Sequence, residues 1–181
     1  MTVIAAYTDS THHWIGCDSA GSDDVLIWDY ESKLIKKPNY TIGGAGSYRT
    51  GDLITEYPFF VEELRNLDDL REFRDVLKEL MLEDGSPKES SSDDTLIHSV
   101  NLLMISPAGI FTLDADYQIH HIHIGYFAIG AGQQLALGSL MTSKALGIDN
   151  GEQAVWMACE AAIQYSTTCA GKCFTHSWPI K

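Results

Sequence analysis

The chain opens with an apolar run, Thr2-Val3-Ile4-Ala5-Ala6, that reads as a strand. After the polar turn Thr8-Asp9-Ser10-Thr11, a second run, Trp14-Ile15-Gly16-Cys17-Asp18, reads as its hairpin partner. Folding that hairpin returns the Asp18 carboxylate to the side of Thr2. In the middle of the chain the period becomes helical: Leu70, Phe73, Leu77, Leu80 and Met81 follow steps of three and four, with Arg71, Glu72, Arg74 and Asp75 between them. This is the core stripe of a surface helix. Leu82 to Asp94 is polar and rich in breakers, which predicts an exposed loop, too short to separate two domains. Asn101 to Ile105 and Gly109 to Leu113 then form a predicted hairpin around Ser106-Pro107-Ala108, and Tyr117 to Ile122 and Tyr126 to Ile129 are expected to continue the same sheet. The last third is helical. One helix begins at Ala131-Gly132 and carries Leu135, Leu137, Leu140 and Met141 to a stop at Leu146-Gly147. Another starts after Asn150-Gly151 with Val155, Ala158, Ala162 and Tyr165 on one stripe. The pattern alone supports an α+β class with segregated strands and helices.

Composition narrows the partners. A chain of 181 residues, 45% hydrophobic and 20% charged, is of ordinary single-domain size and can bury a substantial core. It has no apolar run of about eighteen residues and no basic-then-apolar leader, so a cytoplasmic protein is expected. The net charge of −13 repels phosphate backbones and anionic lipid, which argues against nucleic acid and membrane as partners. Cys17, Cys159, Cys169 and Cys173 show no secreted-type framework. Two clusters invite a metal reading, Cys169 with Cys173 and His176, and His120 with His121 and His123, yet neither has the paired C-x-x-C knuckles of a zinc site. On a strand His121 and His123 share a face and His120 takes the other, so these histidines read as polar positions on a sheet or subunit interface. No metal and no cofactor are expected.

The candidate chemistry begins at Thr2. Its small side chain directly behind Met1 permits removal of the initiator, which would leave a threonine carrying both a hydroxyl and a free α-amine. An α-amine with a pKa of about 7.7–8.0 can accept the hydroxyl proton near neutrality, so nucleophile and base sit on one residue. Three further features follow Thr2. Gly16-Cys17-Asp18 supplies a carboxylate, Ser32-Lys33-Leu34 an ammonium, and Ile42-Gly43-Gly44-Ala45-Gly46-Ser47 a glycine-rich turn into a predicted helix. Taken singly, Asp18 reads as a turn residue, Lys33 as a solvated lysine beside Lys36 and Lys37, and the glycines as a tight turn. Their joint spacing behind Thr2 gives them another meaning.

In that spacing the chain resembles the proteasome β-type family of N-terminal nucleophile hydrolases, and among them the bacterial proteasome-like peptidase HslV and its relatives. Asp18 stands at the family's offset, and Lys33 falls one position short of it, as a one-residue deletion between Ser22 and Tyr30 would produce. Ala45-Gly46-Ser47 matches the family's A-G-G turn and Ile129-Gly130-Ala131-Gly132 its I-G-S-G segment. The resemblance implies a single proteasome-like domain over residues 1–181, with an exposed loop at about 83–95, folded as a four-layer αββα sandwich. It implies a threonine-type endopeptidase in which Thr2 is the nucleophile, Asp18 and Lys33 tune it, the Gly46 amide binds the oxyanion, and Gly44 floors a roomy pocket for large apolar groups. It further implies stacked homo-oligomeric rings, an ATP-dependent unfoldase as partner, and protein or peptide substrates. Two departures stand out: Ala131 replaces the family serine, and Ser166-Thr167-Thr168-Cys169-Ala170-Gly171 lacks the family's aspartate. They leave open a structural or regulatory ring-forming homologue, or an amidase for small molecules.

Overall fold

The computed structural model describes residues 2–22, 27–29, 32–57, 61–85, 89–90, 96–97 and 100–181. Strands β1 (Val3–Thr8) and β2 (His12–Cys17) form the opening hairpin, with Ile4 opposite Cys17 and Thr8 opposite His13. Asp9 locks its turn. One carboxylate oxygen accepts from the backbone N–H groups of Thr11 and His12, at 2.8 and 2.7 Å, and the other from the Trp14 indole at 2.7 Å and the Gly151 N–H at 3.0 Å. A short ladder of β3 (Ala20–Ser22) and β4 (Ile27–Asp29) follows, and then the pair β5 (Leu34–Lys36) and β6 (Thr41–Gly46). Helices α1 (Tyr48–Glu56) and α2 (Leu67–Glu83) come next. Beyond them lie β7 (Glu89–Ser90), β8 (Leu96–Ile97), β9 (Val100–Ser106), β10 (Gly109–Leu113), β11 (Ile119–His121) and β12 (Tyr126–Gly130). Helices α3 (Gln133–Ala145) and α4 (Gly151–Tyr165) precede the final strand β13 (Phe174–Pro179).

Two antiparallel sheets result, one in the order β12-β1-β2-β13 and the other in the order β11-β10-β9-β6-β5. They pack face to face through Ile4, Ala6, Ile15, Leu103, Ile105, Ile110 and Ile129. Val3, Ala5 and Tyr7, on the opposite face of β1, meet Ala136, Leu140, Val155, Ala158 and Ala162 of α3 and α4. Tyr40, Ile42, Leu102, Met104 and Phe111 meet Leu70, Phe73 and Leu77 of α2 and Ile54 of α1. The architecture is the expected α+β sandwich of four layers, αββα. Because β1 is covered on both faces, its sequence is a continuous apolar run rather than an alternation.

The helical stripe over residues 70–81 is largely as expected: Leu70, Phe73, Leu77 and Met81 are buried, and α2 begins under an Asn66 cap that accepts from the N–H groups of Asp68 and Asp69. Four expectations need correction. The strand at 126–129 does not continue the sheet that holds β11. Thr8 donates its N–H to the Gly125 carbonyl at 2.7 Å, so the chain turns at Gly125 onto the end of β1 and β12 runs antiparallel along that strand. Leu135, Met141 and Tyr165 are exposed, the last two at 57% and 77%; of the expected α3 stripe Leu140 is buried, joined by Ala136 and Ser143. The predicted loop from Leu82 starts late, because Leu82 and Glu83 finish α2, and Glu89–Ser90 pairs with Leu96–Ile97 as a two-stranded ladder; 86–88 and 91–95 lie outside the described residues. Strand β13, absent from the predicted elements, completes the first sheet against β2, turning Phe174 and Trp178 toward the core between the sheets.

Candidate active site

Thr2 precedes β1, and the hairpin register brings Asp18 back to it. The Asp18 N–H donates to the Val3 carbonyl at 3.3 Å, and its carboxylate Oδ1 accepts from the Val3 N–H at 2.9 Å. Lys33, just before β5, reaches across from the second sheet. Its ammonium donates to Asp18 Oδ1 at 2.7 Å and to the Thr2 hydroxyl oxygen at 3.0 Å. The side chain of Lys33 is 6% exposed and that of Asp18 is fully buried. An ion pair removed from water to this degree is held by its geometry, and losing either member would strand a charge.

The segment after α4 closes on the same carboxylate. The Ala170 N–H lies 3.5 Å from Asp18 Oδ2, the Ala20 N–H donates to the Ala170 carbonyl, and the Lys172 N–H donates to the Ser19 hydroxyl at 2.8 Å. Ser166 and Thr168, from the stretch that lacks the family's aspartate, bond to each other at 2.8 Å. The thiols nearby are unsuited to act as nucleophiles. Burial pushes Cys17 up to about 11, and burial followed by the Asp18 charge pushes Cys169 up as well.

Two cavities meet at Thr2. The first, of about 190 Å³, has apolar walls from Ile35, Ile54, Val100 and Leu102, with Gly44 among its lining. Gly46, Ser47, Tyr48, Gly51, Asp52 and Thr55 add the turn and one face of α1. The second is bounded by Thr2, Ala45, Gly46, Tyr48, Asn101, Gly130 and Ala131. Gly46 therefore stands beside Thr2 on both sides, with a backbone φ of +135° that favours glycine, and α1 starts two residues later. Sequence reasoning named Thr2, Asp18, Lys33, Gly44 and Gly46; four of these line the cavities, and Asp18 lies buried behind Lys33. It missed Tyr48, Asp52 and Thr55. Their spacing of four and three residues behind the glycine turn puts them on one helical face, and that was the available signal.

The cluster of His120, His121 and His123 lines neither cavity. His121 stacks on Phe111 at 4.7 Å and lies tilted against His123 at 4.2 Å, and His120 is 3.6 Å from Asp114. Among the described residues no group of three or more His, Cys, Asp or Glu side chains is arranged to hold a metal ion, and no helix is long and apolar enough to cross a membrane.

By sequence, the chain matches no family model and no curated protein. By structure, it matches BPH of Thiobacillus denitrificans at 16% identity with a TM-score of 0.83, covering 99% of this chain and 98% of that one. The same protein in complex with epoxomicin matches at 15% identity and a TM-score of 0.83, covering 99% of both chains. Eukaryotic HslV from Trypanosoma brucei matches at 15% identity and a TM-score of 0.69, covering 98% of this chain and 99% of that one. At such identities the likeness is one of fold. Over its whole length the chain folds as HslV does.

Proposed function

We propose that the chain is an N-terminal threonine peptidase that hydrolyses peptide bonds through an acyl-enzyme. The observation that carries this reading is the Lys33 ammonium, shared between the Thr2 hydroxyl at 3.0 Å and the buried Asp18 carboxylate at 2.7 Å. Met1 lies outside the described residues, and the reading requires its removal. The freed α-amine then accepts the Thr2 hydroxyl proton, through a water, as the oxygen attacks the scissile carbonyl carbon. It returns that proton to the departing amine, and water releases the acyl group by the same route in reverse. Lys33 favours the deprotonated states of both groups by its positive charge, and Asp18 fixes its position. The Gly46 N–H, at the end of β6 just ahead of α1, receives the oxyanion, a contact worth about 3–4 kcal/mol in comparable sites.

Epoxomicin supplies the test, since an epoxyketone needs both the hydroxyl and the amine of a terminal threonine and is held by the structurally similar BPH. Intact mass should show the chain without Met1, and treated protein should carry one inhibitor on Thr2. A retained Met1 on protein that still cleaves peptides would exclude Thr2 as the nucleophile. The same reading includes self-association, for which the exposed Leu146, Trp156 and Tyr165 of the α3–α4 layer offer apolar surface. It also includes delivery of substrate by an ATP-dependent unfoldase.

A further inference from the structure

We propose that Cys159 and Cys173 are a peroxide-reactive thiol pair, which closes to a disulfide and, by drawing the stretch 166–173 onto α4, loosens the hold of that stretch on Asp18. For its effect on catalysis the inference rests on the peptidase reading; for the chemistry of the pair it does not.

The strand register brings the two thiols together. Phe174, the first residue of β13, pairs with Cys17 and turns with it into the core between the sheets. Alternation puts Cys173, one residue earlier, on the opposite face, where it packs against the α4 cluster that contains the fully buried Cys159. Hydrogen bonding to Cys173, and then burial, pushes the Cys159 thiol well above its ordinary range. The partners differ in access. Cys173 lines an open surface cavity with Glu152, Trp156 and Thr175, so a small oxidant reaches it from solvent. Cys159 is protonated and shielded, and so inert until its neighbour is oxidised. Cys17 lies on the other side of the sheet, and Cys169 is hydrogen-bonded by Ser166 and Thr168.

The Cys173 thiolate attacks one oxygen of hydrogen peroxide and breaks the O–O bond, which leaves a sulfenic acid and hydroxide. That hydroxide takes the Cys159 proton, and the Cys159 sulfur attacks the Cys173 sulfur. The S–O bond breaks, its hydroxide leaving as water with the proton that Cys173 first released. Two thiols and one peroxide thus give one disulfide and two waters; the sulfurs are oxidised by two electrons and the peroxide oxygens are reduced. A disulfide holds its sulfurs about 2.05 Å apart, well inside the separation of two hydrogen-bonded thiols. Cys159 sits within α4, so the irregular stretch ahead of β13 does the moving, with Gly171 at φ +85° two residues before Cys173. Backbone contacts tie that stretch to the site. The Lys172 N–H donates to the Ser19 hydroxyl at 2.8 Å, the Ala20 N–H to the Ala170 carbonyl at 3.2 Å, and the Ala170 N–H stands 3.5 Å from Asp18 Oδ2. Lys172 adjoins Cys173 and the Ala170 contact is already long, so these two give first.

Reduced native protein, freed of reductant, is treated with hydrogen peroxide and alkylated after unfolding. It should take up two alkyl groups rather than four, with Cys159 and Cys173 joined in the peptide map and released by dithiothreitol. On oxidation, exchange of the Ala170 and Lys172 amides should quicken, and epoxomicin labelling of Thr2 should slow, each by about five- to tenfold, the size of one hydrogen bond lost. Cys173→Ser, altered at the border of the surface cavity, should show neither change. Uptake of four alkyl groups after peroxide, a disulfide between another pair, unchanged exchange or labelling in the crosslinked protein, or the same changes in Cys173→Ser would each overturn the inference. A failure of the peptidase reading shows separately, as no epoxomicin adduct on the reduced protein, and alkylation and exchange then still decide the inference.

Discussion

The carbonyl oxygen of Thr2 occupies the place where a side chain on Gly130 would begin: a Cβ there would stand 2.3 Å from it. Gly130 also has φ +91° and pairs with Val3 across the β1–β12 ladder. The close approach holds the start of β1, and so the Thr2 backbone, in one position. Gly130→Ala must therefore move Thr2 or strain β12, at a cost of about 2 kcal/mol or more. A chemical denaturation midpoint well below native, with loss of peptide hydrolysis, is the expected outcome. A variant as stable and as active as native would show that the approach places no constraint on the site.

Lys33 and Asp18 allow stability and catalysis to be separated. Lys33→Ala leaves the buried Asp18 carboxylate without its cation, and breaking such a pair costs about 3–5 kcal/mol. The double variant Lys33→Met with Asp18→Asn removes both charges and keeps an acceptor for the Val3 N–H, so it should recover most of that loss. Turnover should stay down by about a hundredfold or more, because the charge beside the nucleophile is gone. A double variant that is stable and active would remove the ammonium from the mechanism.

Mild acid should weaken the fold at the end of the sheets near the β1–β2 turn. Burial holds the His13 imidazole below its ordinary value; Asp9 pulls it upward, and His121 and His12 push it further down. Burial, then His123, lowers His121 as well. With folded values below the unfolded one of about 6.5, the unfolded chain binds more protons between them. The stability that these groups contribute is complete above that pH and declines as pH falls through the folded values. Urea midpoints from pH 7.5 to 5 should decline, and His121→Gln should flatten the decline. An unchanged slope in His121→Gln would place the loss elsewhere.

What the sequence disclosed depended on whether one segment carried its own signal. The β1–β2 hairpin, the α2 stripe and the α+β class were legible because apolar runs and three-four periodicity act locally, whereas the four-layer αββα arrangement came from the family resemblance. Asp18 was legible beside Thr2 because the consecutive strands β1 and β2 pair, and Lys33 only through the spacing that carries the family resemblance, since it reaches the pair from the other sheet. The passage of β12 to the other sheet was not legible, because it depends on a hydrogen bond between Thr8 and Gly125, far apart in sequence. Leu135, Met141 and Tyr165 fit a helical stripe, yet the face that packs on β1 and β12 is built of small residues, Ala136, Ala154, Ala158 and Ala162. Strand β13 did carry a signal: Phe174, His176 and Trp178 alternate with Thr175 and Ser177 at the period of a half-buried strand.

Where the resembling family carries a serine this chain has Ala131, and under the proposed peptidase function that difference sets the rate. Ala131 is exposed at the border of the second cavity together with Thr2 and Gly130, so a hydroxyl added there has room beside the nucleophile. In the segment after α4, the Ser166 and Thr168 hydroxyls are engaged with each other at 2.8 Å. A hydrogen bond to a group carrying charge contributes about 1.5–3 kcal/mol, or about ten to a hundredfold in rate. Ala131→Ser should therefore raise the basal hydrolysis of short fluorogenic peptides by up to that factor, with kcat moving more than KM because the added contact is to the amine that carries the proton. The native protein should hydrolyse the same peptides slowly but measurably, and the activity should disappear in Thr2→Ala. If the native chain cleaves no peptide and Ala131→Ser confers no activity, the peptidase reading fails and a structural role in a ring becomes the better account of the fold.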